Sequence, residues 1–151
     1  MGGKRITGRK RHVLVDTLGL LLRLLVLPAD ISDAEGGLDL VAEAARLFSR
    51  LRKLWVDSAY AGGFEDWVAT QLGWDVEVVR RLAEQPGFAV QPRRWIVERS
   101  FAWAARFRRL ARDYERLPKT LAALHFIALA CLLLARMPLL LLGPLPIHNT
   151  L

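Results

Sequence analysis

A chain of 151 residues with 53% hydrophobic content can bury one substantial core and is too short for two ordinary domains. Its 22 Lys and Arg against 15 Asp and Glu leave a formal charge of +7, which points to nucleic acid first and an acidic membrane surface second. The lone cysteine, Cys131, excludes an internal disulfide framework, and no Cys/His set shows metal-ligand spacing.

The N-terminus carries Lys4, Arg5, Arg9, Lys10 and Arg11 among glycines and reads as a flexible basic arm, without a signal-peptide core behind it. The runs 11–16 and 20–27, joined through Thr17-Leu18-Gly19, predict a β-hairpin whose second strand stops at Pro28. That second strand is apolar except for Arg23, so cover on both faces is expected. Ser32 and Glu35 have capping-box spacing ahead of a helix over 33–49 that should bury Leu38, Val41, Ala45 and Phe48. A third strand over 52–57 ends in Asp57, followed by a polar, glycine-containing turn. A helix over 64–72, a fourth strand over 74–79 and a Pro/Gly-containing loop over 80–93 come next. A hairpin followed by alternating helices and strands predicts the α/β class, with a mixed sheet flanked by helices.

Residues 93–116, RRWIVERSFAWAARFRRLARDYER, predict one long amphipathic helix. Ile96, Ser100, Trp103, Phe107, Leu110 and Tyr114 fall on its core stripe, and Trp55, Trp95 and Trp103 are expected in the core. The neighbouring row runs Arg94, Glu98, Ala102, Ala105, Arg109, Arg112, Arg116. A carboxylate above guanidiniums can hold a cation over a phosphate grip. The same row also suits an ordinary solvated face with Glu/Arg pairs. Leu117-Pro118 is expected to end this helix. The run from Leu121 to Leu142 is nearly all apolar, but His125, Arg136 and Pro138 interrupt it, which favours a core helix over a membrane span. The domain is expected to cover 1–137, with 138–151 an irregular tail. His12, His125 and His148 lack ligand partners at suitable spacing and read as non-catalytic, with His12 placed near phosphate if it binds anything.

Three blocks in order carry a family resemblance: GRKRHVLVDTLGLLL at 8–22, WVDSAYAG at 55–62 and RRWIVERSFAW at 93–103. They resemble successive blocks of the DDE transposases of bacterial insertion sequences, the insertion sequence 5 group above all. The resemblance implies an RNase H-like fold in which three acidic residues hold two Mg2+ ions for phosphodiester cleavage and strand transfer. It implies that Asp57 is the second acid and Glu98 the third, both catalytic and both metal-holding. Arg94, four residues before Glu98, matches an arginine of the last block. Arg99, Arg106, Arg109, Lys10 and Arg11 are the accompanying candidates for DNA contact.

Two departures qualify what the resemblance implies. The family's first catalytic aspartate lies on a strand before the hairpin, and this chain starts after that point. Asp16 sits where the family has a non-ligating aspartate and reads as a hairpin cap. Gln91 and Ala105 stand where the last block often has tyrosine and lysine. The expectation is therefore an RNase H-like domain lacking its first strand, with two carboxylates that bind Mg2+ weakly by themselves. Its partners would be the element ends and target DNA, the upstream half of the same transposase and a second copy in a homodimer, in a bacterial cytoplasm without membrane attachment. The competing reading is an inactive DNA-binding remnant.

Overall fold

The computed structural model describes residues 8–79 and 94–142. Its elements are β1 (Arg9–Val15), β2 (Leu21–Pro28), α1 (Asp33–Leu47), β3 (Lys53–Asp57), a 3-10 turn (Ser58–Tyr60), α2 (Gly63–Leu72), β4 (Asp75–Val79), α3 (Arg94–Ala104) and α4 (Pro118–Leu142). The class is mixed α/β, as expected. The loop over 80–93, the first seven residues and the end of the tail lie outside the described residues.

β1 and β2 form the expected antiparallel hairpin, with Arg9 opposite Pro28 and Val15 opposite Leu21. Asp16 caps its turn, because Oδ1 accepts from the backbone N–H of Leu18 and of Leu20, each at 2.8 Å. Gly19 completes the turn at φ 83°, a conformation that glycine adopts without steric cost. β1 starts earlier than predicted, since Arg9, Lys10 and Arg11 belong to it and not to a flexible arm. Arg9 donates to the carbonyls of Glu115 (2.6 Å) and Arg116 (3.0 Å), so strand pairing and long-range bonds fix this segment.

β3 and β4 run parallel, Lys53 beside Asp75 through Asp57 beside Val79. The strands do not join, among the described residues, into the single mixed sheet predicted. Among the described residues there are two separate two-stranded ladders. Between them lies a cavity of about 320 Å³, lined from one side by Arg11, Val13 and Leu14 and from the other by Leu54, Trp55, Val56 and Asp57. A strand face would contribute alternate residues. Four consecutive residues mean that the edge of β3 opens into the cavity.

α1 begins as predicted, with Ser32 Oγ accepting from the Glu35 N–H at 3.1 Å. Its buried side is rotated from the predicted one and consists of Gly36, Gly37, Leu40, Val41 and Ala44. The glycine pair explains the rotation. A Cβ on Gly36 would stand 2.5 Å from His12 Nε2, and one on Gly37 would stand 2.6 Å from the Tyr60 ring. Only glycine lets the helix settle this closely, and Leu38 and Ala45 are left at its flanks. His12 is therefore a core residue, only 3% exposed, and not a phosphate neighbour. Its Nδ1 lies 3.3 Å from the Tyr60 hydroxyl. Burial pushes the His12 pKa down and raises that of Tyr60 to about 12, so both stay neutral near pH 7.

The predicted long helix ends early, at Ala104. Beyond it the chain tightens into three-residue turns, with Phe107 N–H bonding Ala104 O at 3.0 Å and Leu110 N–H bonding Phe107 O at 2.8 Å. These turns carry Leu110 into a cluster with Leu24, Val26, Ala104, Leu121 and Ala128, whereas Tyr114 is left exposed. Burial of Leu110 wins over the helical preference of the arginine-rich sequence. Pro118 does not merely end a helix. It opens α4 at the first position, where its missing N–H costs nothing. The helix then continues past Met137 to Leu142, further than predicted. α4 buries Leu121, His125, Ala128 and Leu129, which makes it a core helix on one face. His125 donates from Nδ1 to Leu121 O at 2.8 Å, and burial lowers its pKa. The window Pro118–Ala135 has a mean hydropathy of 1.8 but is only 22% buried, so α4 is long and apolar enough to cross a membrane by composition alone.

Candidate metal and nucleic-acid site

The last residue of β3 is Asp57, and the chain turns there because its Oδ1 accepts from the Ala59 N–H at 2.9 Å. This cap fixes the carboxylate at the strand end, beside the cavity between the ladders. Glu98 reaches the same cavity from α3, together with Val97 and Phe101. Two carboxylates forty-one positions apart in sequence, on β3 and α3, therefore line one opening. Arg11, half-buried on β1, lines it as well.

The position of Glu98 depends on a clamp between α3 and the hairpin turn. Ser100 Oγ, in a residue only 2% exposed, lies 2.8 Å from Gly19 O and 3.0 Å from Ile96 O. Arg99 donates to Leu18 O at 2.6 Å. Its guanidinium sits between two indole rings, 4.2 Å from the Trp95 centroid and 4.7 Å from that of Trp103. Such stacking holds the planar cation in one orientation. Arg99 is thus a structural strap in this fold. Trp95, expected in the core, is 39% exposed on the outside of that stack. Sequence reasoning missed the clamp, and the signal available for it was a serine on an otherwise apolar helix stripe.

The remaining predicted cations are dispersed. Lys10 pairs with Asp33 at 3.1 Å and donates to Ile31 O at 2.8 Å. Arg109 leaves the Glu98 row because α3 has ended, and it pairs with Glu115 at 2.7 Å. Arg106 is exposed in the turn after α3, and Arg94 opens that helix. Of these cations, Arg11 lines the carboxylate cavity among the described residues.

Carboxylate oxygens are hard donors of the kind that Mg2+ takes. Asp57 and Glu98 fit that cation in kind but not in number. Among the described residues no group of three or more His, Cys, Asp or Glu is placed to hold a metal.

The chain matches the Transposase DDE domain model over residues 1–133 and belongs to that family. It is 27% identical over 134 residues to a Burkholderia cepacia protein assigned as the transposase for insertion sequence element IS402. The match covers 84% of this chain and 62% of that relative, so the chain spans less than two-thirds of the relative's length. No solved structure shows significant similarity.

Proposed function

We propose that this chain supplies two of the three carboxylates of a DNA-cleaving transposase site, Asp57 and Glu98, in a protein of the insertion sequence 5 group. The observation that supports it is the convergence of both groups on one cavity from separate elements. The accompanying fold is RNase H-like, with a further strand lying in the slot between β1 and β3 and bringing the third acid. Open strand edges on both sides of the cavity, with α1 beneath and α3 above, favour that position.

Asp57 and Glu98, with the third acid, would hold divalent cations there, which would supply charge stabilisation for a phosphodiester displacement. The protein's own contribution is to hold Asp57 rigidly through the strand-end cap and Glu98 through the Ser100–Gly19 clamp. Arg11 offsets part of their mutual repulsion, and Arg106, exposed beyond α3, is available to a DNA backbone phosphate.

The test uses a polypeptide extended to include the strand with the third acid. Asp57→Ala and Glu98→Ala should each reduce Mg2+-dependent cleavage of DNA carrying the element ends to background. Salt-sensitive DNA binding should survive both changes. Cleavage that persists in either variant contradicts the assignment. A second reading, DNA binding without chemistry, is favoured by the lack of a third ligand among the described residues. It predicts binding by the extended polypeptide but no cleavage at any divalent-ion concentration.

A further inference from the structure

His12 is a buried polar residue with no part in the carboxylate pair. On β1, Arg11 and Val13 line the carboxylate cavity, and His12 between them faces the other way, against α1. It is 3% exposed, yet its Nε2 has no hydrogen-bond partner among the described residues. Its Nδ1 lies 3.3 Å from the hydroxyl of Tyr60, a residue that does line the cavity. A core that needed only bulk here would hold an apolar side chain, without the cost of burying an imidazole. The polar task that remains is the contact with Tyr60.

Which ring nitrogen carries the hydrogen decides what the pair can do. Burial keeps the imidazole neutral near pH 7, so it has a single N–H to place. A Cβ on Gly36 would stand 2.5 Å from Nε2, so the glycine hydrogen in that place is aimed at this nitrogen. A lone pair accepts such a Cα–H contact, whereas an N–H would be pressed against it and left unpaired in the core. The hydrogen therefore belongs on Nδ1, where it is donated to the Tyr60 oxygen.

Tyr60 in turn ends the short 3-10 turn that Asp57 begins. Its ring meets Phe64 edge-on with centroids 5.3 Å apart, and it meets Gly37 so closely that a Cβ there would stand 2.6 Å away. These contacts hold the ring sideways, and the bond to His12 holds its tip. At the other end of the same turn, Asp57 Oδ1 accepts from the Ala59 N–H at 2.9 Å. A three-residue turn secured at Tyr60 cannot shift without disturbing the cap at Asp57. The bond also links β1 to the end of β3, in two ladders that no strand pairing joins among the described residues.

We infer that His12 and Tyr60 are positioning residues: the Nδ1–H of His12 holds the Tyr60 hydroxyl and thereby fixes the Asp57 carboxylate at the cavity. The functional weight of this tie rests on reading Asp57 as a site carboxylate, but the tie itself is measurable without any reaction.

The test is NMR of the 151-residue chain. At pH 7 the imidazole nitrogens of His12 should show the hydrogen on Nδ1 and a bare Nε2. Tyr60→Phe keeps the ring and removes one oxygen, and it should speed hydrogen exchange at the Ala59 amide about three- to tenfold, the range of one neutral hydrogen bond. The Leu18 amide, capped in the same way by Asp16 at the hairpin turn, should be unaffected. His12→Asn keeps an N–H at the place of Nδ1 and should leave Ala59 exchange within about twofold of the parent. His12→Leu fills the core without a donor and should match Tyr60→Phe. Hydrogen on Nε2 overturns the inference, as does Ala59 exchange that Tyr60→Phe leaves unmoved. Equal effects of His12→Asn and His12→Leu would also overturn it, by marking His12 as core filling alone. The tautomer and Tyr60→Phe decide the matter even where a His12 variant does not fold. Because none of these readouts needs DNA cleavage, a failed catalytic reading of Asp57 and a failed tie give different results.

Discussion

Gly19→Val should destabilise the protein by about 2–5 kcal/mol and should detach α3 from the hairpin. Two costs combine at this position. Gly19 holds φ at 83°, where a β-branched residue pays about 1–2 kcal/mol. A Cβ there would also stand 3.0 Å from Ser100 Oγ and 3.1 Å from an Arg99 guanidinium nitrogen, an overpacking of roughly 1–3 kcal/mol. The relief available is movement of α3 outward, which breaks the Ser100–Gly19 bond and shifts Glu98 from the cavity. Urea unfolding gives the stability change, and the emission of Trp95 and Trp103 reports whether Arg99 still lies between them. A change under about 0.5 kcal/mol with unaltered emission would show that the clamp is not structural.

Leu121→Ala should cost about 3–5 kcal/mol. Leu121 is 0% exposed and lies where α4 meets β2 and the turn carrying Leu110, so the hole it leaves is enclosed by three separate elements. No neighbour is free to collapse into it. Against a typical stability of about 5–15 kcal/mol, that loss brings the chain close to unfolding. The midpoint of urea unfolding should fall with its slope unchanged. Lys119→Ala, an exposed change two residues earlier in the same helix, should stay within about 0.5 kcal/mol. Similar losses for the two would mean that α4 does not anchor the core.

Local chemistry was readable wherever neighbouring residues decide the structure. Ser32 with Glu35 announced the start of α1, Asp16 with Gly19 announced the hairpin turn, and Asp57 before a glycine-containing turn announced the end of β3. Asp57 and Glu98, which the resemblance picks out in two compact blocks, line one cavity in the structure. What escaped the sequence depends on contacts between distant segments. The end of α3 at Ala104 is dictated by Leu110 entering a core built from β2 and α4, and by Arg9 of β1 bonding the carbonyls at 115 and 116. The buried face of α1 follows from how closely Gly36 and Gly37 approach His12 and Tyr60, which no helical period expresses. The arginines after Ala104 were assigned to one face by extending a helix that the tertiary fold interrupts. The separation of the two ladders depends on what lies between them, so a list of strands in order could not show it.

Under the proposed function Asp57 and Glu98, together with the third acid of the extended polypeptide, would hold divalent cations at one site. Iron(II) accepts the same oxygen donors and, with ascorbate and peroxide, cuts a polypeptide beside its ligands. Applied to the polypeptide extended to carry the third acid, this reaction should give fragments ending near both Asp57 and Glu98. Either Asp57→Ala or Glu98→Ala alone should abolish both cuts, because each carboxylate needs the other to retain the ion. Cutting at one position that survives loss of the other carboxylate, or no cutting at either, would contradict the account.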